Sequence, residues 1–137
     1  MTEKKLTFNL VTPQRQVVED LPVDMVVLPA LLGEMGILPG HIQTVVQLGM
    51  GSLRYKQKGK TEVFAVLGGF AEVSNNVVNV FAEGADLAGE IDEEAEKQRI
   101  KALKESLSNK DADIDFELAE LEIKQALTRM KVKKRRF

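Results

Sequence analysis

At 137 residues, 44% apolar and 29% charged, the chain has the make-up of one folded domain, or a small domain with an appendage, and not of a disordered segment. A net charge of −2 gives no overall bias toward nucleic acid. With no cysteine there are no disulfides and no thiolate chemistry, and a single histidine argues against a zinc site.

The first residues lead into Leu6-Thr7-Phe8-Asn9 without the continuous apolar stretch of a signal peptide. The longest apolar runs, near Met25–Leu32 and Val63–Phe70, are too short and too interrupted by glycine or proline to cross a bilayer as a helix. The expectation is a cytosol-like compartment, with membrane contact only through a partner or a charged surface.

Leu6, Phe8 and Leu10 alternate with polar Thr7 and Asn9, which puts one face of a strand in a core. Val-rich runs follow at Val17–Leu21, Val23–Leu28, Thr44–Leu48, Ser52–Tyr55, Val63–Leu67, Phe70–Val73 and Val77–Phe81, separated by Gly, Pro or Asn. That spacing predicts an antiparallel sandwich or barrel. Asn75-Asn76 suits a two-residue hairpin, because Asn tolerates positive φ, and Gln57-Lys58-Gly59 closes another. Between the runs, Gly33-Glu34-Met35-Gly36-Ile37-Leu38-Pro39-Gly40-His41 packs three glycines and a proline into nine residues. It reads as tight turns closing one end of the sandwich. It is no phosphate loop, since no Lys-Ser/Thr follows the glycines.

After Gly89 neither Gly nor Pro occurs again, and Ala, Glu, Lys and Leu take over. Asp92 is placed to cap a first helix, with Glu93, Glu94 and Glu96 in its opening turns, where the helix dipole favours acid. Ile100, Leu103 and Leu107 form its thin apolar stripe. Ser108-Asn109-Lys110-Asp111 breaks the pattern, and a second helix runs from near Asp113 or Asp115 to Lys133. Its apolar lines are Leu118, Leu121, Ala126 and Met130, and Phe116, Ala119, Ile123 and Leu127. The fold expected is α+β: an antiparallel β-sandwich over residues 1–87 followed by an antiparallel two-helix hairpin over 88–137, with Gly84 and Gly89 as hinge points. A hairpin with so narrow an apolar face leans on itself, on the sandwich or on a partner. Its helices are about 27 and 30 Å long, so an opened arm reaches on the order of 55 Å.

Three segments together resemble the epsilon subunit of the rotary ATP synthase. The first is the Gly33-to-His41 loop. The second is Val66-Leu67-Gly68-Gly69-Phe70-Ala71-Glu72-Val73, with Asn76-Val77 and Val80-Phe81-Ala82 after it. The third is Asp113-Ile114-Asp115-Phe116 through Ala119-Glu120-Leu121, with Ala126 and Arg129 following. They occur in order over roughly residues 6 to 132.

The resemblance implies a non-catalytic rotor subunit, peripheral on the cytoplasmic face of the bacterial inner membrane. Its sandwich would hold the gamma subunit and rest on the c-ring, with no nucleic-acid partner and membrane association through the complex only. Glu34, Gly36, Pro39 and His41 then become candidates for the ring or gamma contact, Glu34 pairing with basic groups on the ring. Glu34 has an ordinary alternative as a solvated acid, and His41 as a group that satisfies a turn carbonyl. His41 as a general base lacks any nucleophile near it in sequence.

The terminal cations Arg129, Lys131, Lys133, Lys134, Arg135 and Arg136 carry no acid among them. They suit a solvated helix end, or a lipid anchor at about 1 kcal/mol per basic residue. The resemblance adds an arm that extends between the alpha and beta subunits, meets an acidic beta-subunit segment and restrains hydrolysis. Some family members bind ATP through Ile/Leu-Asp-x-x-Arg-Ala. Here Ile91 and Asp92 are present, but Ala95 and Glu96 replace the Arg and Ala, and Gln125 replaces a second basic residue beside Arg129. Weak ATP binding or none is expected, and no cofactor. The competing function class is a stand-alone β-sandwich binding module whose basic arm recruits an acidic partner or lipid.

Overall fold

The alternation over Leu6–Val11 does form a strand, with Leu6, Phe8 and Leu10 fully buried. The computed structural model describes residues 4–109 and 115–135. Its strands are β1 (Leu6–Val11), β2 (Gln16–Val23), β3 (Met25–Ala30), β4 (Gly33–Ile37), β5 (Thr44–Gln57), β6 (Lys60–Ser74), β7 (Val77–Ala82) and β8 (Ala85–Leu87). A 3-10 turn at Ala88–Glu90 leads to α1 (Glu93–Ser108) and α2 (Phe116–Lys134).

The strands run in the order β2-β1-β7-β6-β5-β3-β4, with β8 also on β6. This sheet folds over on itself as a sandwich around Phe8, Leu28, Ile37, Leu53, Phe64 and Val80. The antiparallel expectation holds at every described pairing except one: β1 and β7 run parallel, Phe8 opposite Val78. The chain returns to that edge only after laying down β2 to β6, so hairpin connectivity does not dictate the direction there.

Four runs expected as separate strands are two long ones. In β5 the core-facing residues change phase, from Val46 and Leu48 to Leu53 and Tyr55, across Gly49 and Gly51. In β6 they change from Phe64 and Val66 to Ala71 and Val73 across Gly68 and Gly69, which have φ of 97° and 121°. A glycine pair in that region bends a strand without ending its ladder. Gly69 is also obligatory on space, since a Cβ there would lie 2.1 Å from the Phe81 carbonyl oxygen.

The expected turns over Gly33–His41 are only half correct. Gly33–Ile37 is β4, paired with β3 from Ala30–Gly33 to Val26–Ile37, and the turns begin at Leu38. Glycine lowers strand propensity, but register with β3 and the buried Ile37 override it. Lys58-Gly59 and Asn75-Asn76 both adopt positive φ and close their hairpins as expected. The stretch around the expected hinge points Gly84 and Gly89 is built into the fold: β8 pairs with Phe64–Val66, and a Cβ at Gly84 would meet the Leu67 side chain at 2.9 Å.

Asp92 caps α1 by accepting from the Ala95 amide, and Asp115 caps α2 from the Leu118 amide, which settles the second helix start at Phe116. The expected apolar lines of α2 are used only in part, each at its alanine, while most of their large side chains stay outside. Ala119, Ala126 and Val132 are buried, whereas Phe116, Leu118, Leu121 and Leu127 are exposed. Small side chains allow α2 to lie close against α1, β5 and β6, and the large ones are left outside.

Candidate functional site

β6 is buried on both faces over Phe64–Leu67. Phe64 and Val66 enter the sandwich core, while Val63 and Ala65 face outward under Ile91, Ala88 and Val132. A two-sided apolar run on a strand is the sequence mark of a covered sheet. Here the cover is the end of α2, and burying Val132 contributes about 1.5–3 kcal/mol to its seating. Ile91, a candidate nucleotide residue, therefore serves as packing. Asp92 serves as the cap of α1.

Polar contacts surround that apolar seat. The Arg129 Nε donates to Asp86 Oδ2 at 2.9 Å, and its Nη1 lies 3.5 Å from Glu96 Oε2. The Arg129 and Glu96 side chains are only 15% and 12% exposed. Lys134 pairs with Glu93 of α1 at 3.1 Å. Arg135, the residue that caps α2 just past its last turn, donates from Nη2 to Glu34 Oε1 at 2.9 Å and from Nη1 to the buried Ser52 Oγ at 3.2 Å. Arg129, Lys134 and Arg135 thus have acidic partners, drawn from α1, β4 and β8 and so from sequence far from the basic run. Lys131 and Lys133 are exposed on α2, and Arg136 lies outside the described residues.

Glu34 sits on β4 between two guanidinium groups, with Arg54 of β5 bound to its other oxygen. The hydrogen bond from Arg135, and after it that from Arg54, holds this carboxyl below its usual value of 4.5. Gly36 lies mid-strand opposite Val27. Pro39 and Gly40 form the turn after β4, where the Gly40 amide donates to Asn76 Oδ1 at 2.7 Å. His41 Nδ1 is 2.8 Å from the Ile42 carbonyl oxygen, so its ring satisfies a local carbonyl. Glu34, on β4, and His41, after the turn beyond it, have different partners.

An open cleft of about 430 Å³ beside Arg129 holds Arg15, Glu83, Asp86 and Gln125 among its lining. Among the described residues no group of His, Cys, Asp or Glu could hold a metal ion, and no helix is long and apolar enough to cross a membrane.

Two apolar surfaces escaped the sequence reading. Leu31, Leu32, Leu38 and Ile42 are exposed around β4, with Leu32 wholly uncovered. Phe70 and Phe81 stack with ring centroids 5.0 Å apart on the outer face, and Val45 is exposed nearby on β5. The available signal was phase: Phe70 and Phe81 fall on the alternate positions to core residues Ala71 and Val80. The acids that hold the arm, Asp86, Glu93 and Glu96, carried no comparable signal, because pairing over such separations is set by the fold.

A family model described as the ATP synthase delta/epsilon chain β-sandwich domain matches residues 5–88. The chain is 47% identical to the ATP synthase epsilon chain of Elusimicrobium minutum over 109 residues, covering 80% of this chain and 81% of that one. It is 40% identical to the epsilon chain of Bacillus velezensis, covering 94% and 97%. Among solved structures it is similar to a chain of the Euglena gracilis mitochondrial ATP synthase, with a TM-score of 0.67, 27% identity and coverage of 95% and 78%. A chain in the structure of the Tetrahymena thermophila mitochondrial ATP synthase central stalk and c-ring shares the fold at a TM-score of 0.59 and 14% identity, covering 97% and 96%.

Proposed function

The chain belongs to the ATP synthase epsilon-chain family, and from that premise we propose that it is a non-catalytic rotor subunit that joins gamma to the c-ring and restrains ATP hydrolysis with its helical arm. The observation that carries this reading is the set of large apolar side chains left uncovered in two separate places. One is the sandwich surface at Leu32, Ile42, Val45, Phe70 and Phe81, and the other is α2 at Phe116, Leu118, Leu121 and Leu127. Contiguous exposed apolar patches on a soluble domain mark interaction surfaces.

The flat, stacked Phe70–Phe81 face suits a permanent packed contact with gamma. The rim of β4, with Glu34, Gly36, Pro39 and His41, suits the polar loops of the ring. The arm has two demands on it. Docked, it uses small residues and ion pairs; extended, its large apolar residues and Arg129, Lys131, Lys133, Lys134, Arg135 and Arg136 meet the alpha and beta subunits. Residues 1–87 are then the anchor and 88–137 the regulatory part, peripheral to the cytoplasmic side of a bacterial membrane through the complex. Arg129 already holds two carboxylates, which supports the reading that nucleotide binding at Ile91, Asp92 and Arg129 is weak or absent.

Binding to a gamma-containing complex of a relative from which epsilon has been removed tests the anchor. The full chain binds and comigrates, and the double variant Phe70→Ser, Phe81→Ser releases it. Comigration undiminished in that variant removes the stacked face from the contact.

A further inference from the structure

We propose that Glu34 is the keeper of a latch that holds the docked arm on the sandwich, with Arg135 as the catch. The two residues are 101 positions apart and meet only because α2 runs back along β6 and ends beside β4. Each carboxylate oxygen of Glu34 has its own guanidinium: Arg54 takes Oε2 and Arg135 takes Oε1. Arg54 is part of the sandwich and stays whether or not the arm is docked. It therefore presets the direction of Glu34, and docking loses less side-chain freedom than an ordinary surface pair would.

Arg135 is matched to two strands at once. One arm of its fork reaches Glu34 on β4 and the other reaches the hydroxyl of buried Ser52 on β5. A planar fork with fixed donor directions defines an end position for the helix in a way that a lysine ammonium does not. The latch lies one turn beyond Val132, whereas the Arg129 pairs fasten the middle of the helix. Freeing Arg135 thus releases the terminal turn first.

The latch requires only this chain. A further consequence rests on the stalk reading above, in which Glu34 faces basic groups of the ring. A third cation at Glu34 competes with Arg135 for Oε1, so occupation of the β4 rim and docking of the arm oppose each other, reciprocally and to the same extent.

Because the chain has no cysteine, spin labels can be placed at the exposed positions Lys60→Cys and Glu120→Cys without background. Distance distributions of the full chain are read along a urea series that spans half-undocking of the unmutated arm. Glu34→Gln lowers the docked-to-undocked ratio roughly two- to fivefold at low salt. Arg135→Gln lowers it further, because the Ser52 bond is lost too, and the double variant is no worse than Arg135→Gln alone. High salt brings the unmutated chain to the level of Glu34→Gln. Equal ratios for the unmutated and Glu34→Gln chains, or effects of the two substitutions that simply add, overturn the latch.

In the reconstituted complex the docked share falls on assembly for the unmutated chain and falls less for Glu34→Gln. Equal falls overturn the competition. The failures are separable: uncoupled Glu34 and Arg135 sink the latch whatever the complex does, and intact coupling without binding to the gamma-containing complex sinks the stalk reading alone.

Discussion

Replacing Arg129 by Gln removes the cation that joins α2 to both β8 and α1. The geometry sets the size of the effect. Exposed ion pairs contribute about 0.2–1 kcal/mol, but hydrogen bonds to charged groups in drier surroundings contribute about 1.5–3 kcal/mol. Arg129 is only 15% exposed and donates to Asp86 at 2.9 Å, so the lower part of the second scale applies to that bond, and Glu96, 12% exposed but 3.5 Å away, adds a weaker ionic attraction. The variant also leaves the Glu96 carboxylate sheltered without its cation. The expected loss is about 2 kcal/mol of docking, close to a 30-fold fall in protection of α2 amides from hydrogen exchange. Amides of the sandwich core, at Leu53 and Val66, keep their protection. Glu96→Gln has a smaller effect, since Arg129 retains Asp86. Unchanged α2 protection in Arg129→Gln, or equal loss in helix and sandwich, refutes the clasp.

Gly69→Ala destabilises the sandwich by about 3 kcal/mol or more in urea, whereas Gly68→Ala costs about 1–3 kcal/mol. Both have positive φ, but only Gly69 lacks room for a Cβ, so equal costs would contradict the close approach to Phe81. Val132→Ala loosens the arm by about 1–3 kcal/mol, read as lower α2 protection with an unchanged sandwich transition. Docking also weakens in acid. Docking adds Arg135 to the Arg54 already beside Glu34, so the docked carboxyl has the lower pKa. Its stabilisation is present above the undocked pKa and disappears as pH falls through the docked one, below 4.5. A pH series of α2 exchange shows this loss, and Glu34→Gln lacks that part of it.

The strands were readable where burial is one-sided. Leu6, Phe8 and Leu10 announce β1 because nothing covers its other face so completely as to blur the alternation. The unbroken run Val63–Leu67 was read as a strand, but its continuous apolarity also recorded that α2 lies on top. β4 was hidden by glycines whose extended pairing is imposed by β3. The parallel β1–β7 contact depends on a return path no local pattern encodes. The helical arm was evident from the loss of Gly and Pro and from two Asp caps, and its expected apolar lines included the buried Ala119 and Ala126, but they also included Phe116, Leu118, Leu121 and Leu127, which stay exposed, and omitted the buried Val132. Glu34 was singled out from its motif. Its partners were not, because Arg54 and Arg135 reach it only through the folded sheet and the returning helix.

ATP hydrolysis by an epsilon-depleted complex of a relative, with the full chain or a chain ending at Ala88 added back, tests most directly whether this subunit is an anchor carrying a brake. Both versions are expected to bind, and only the full chain to slow hydrolysis. Failure of both to bind, or equal slowing by the two, would contradict that division of labour.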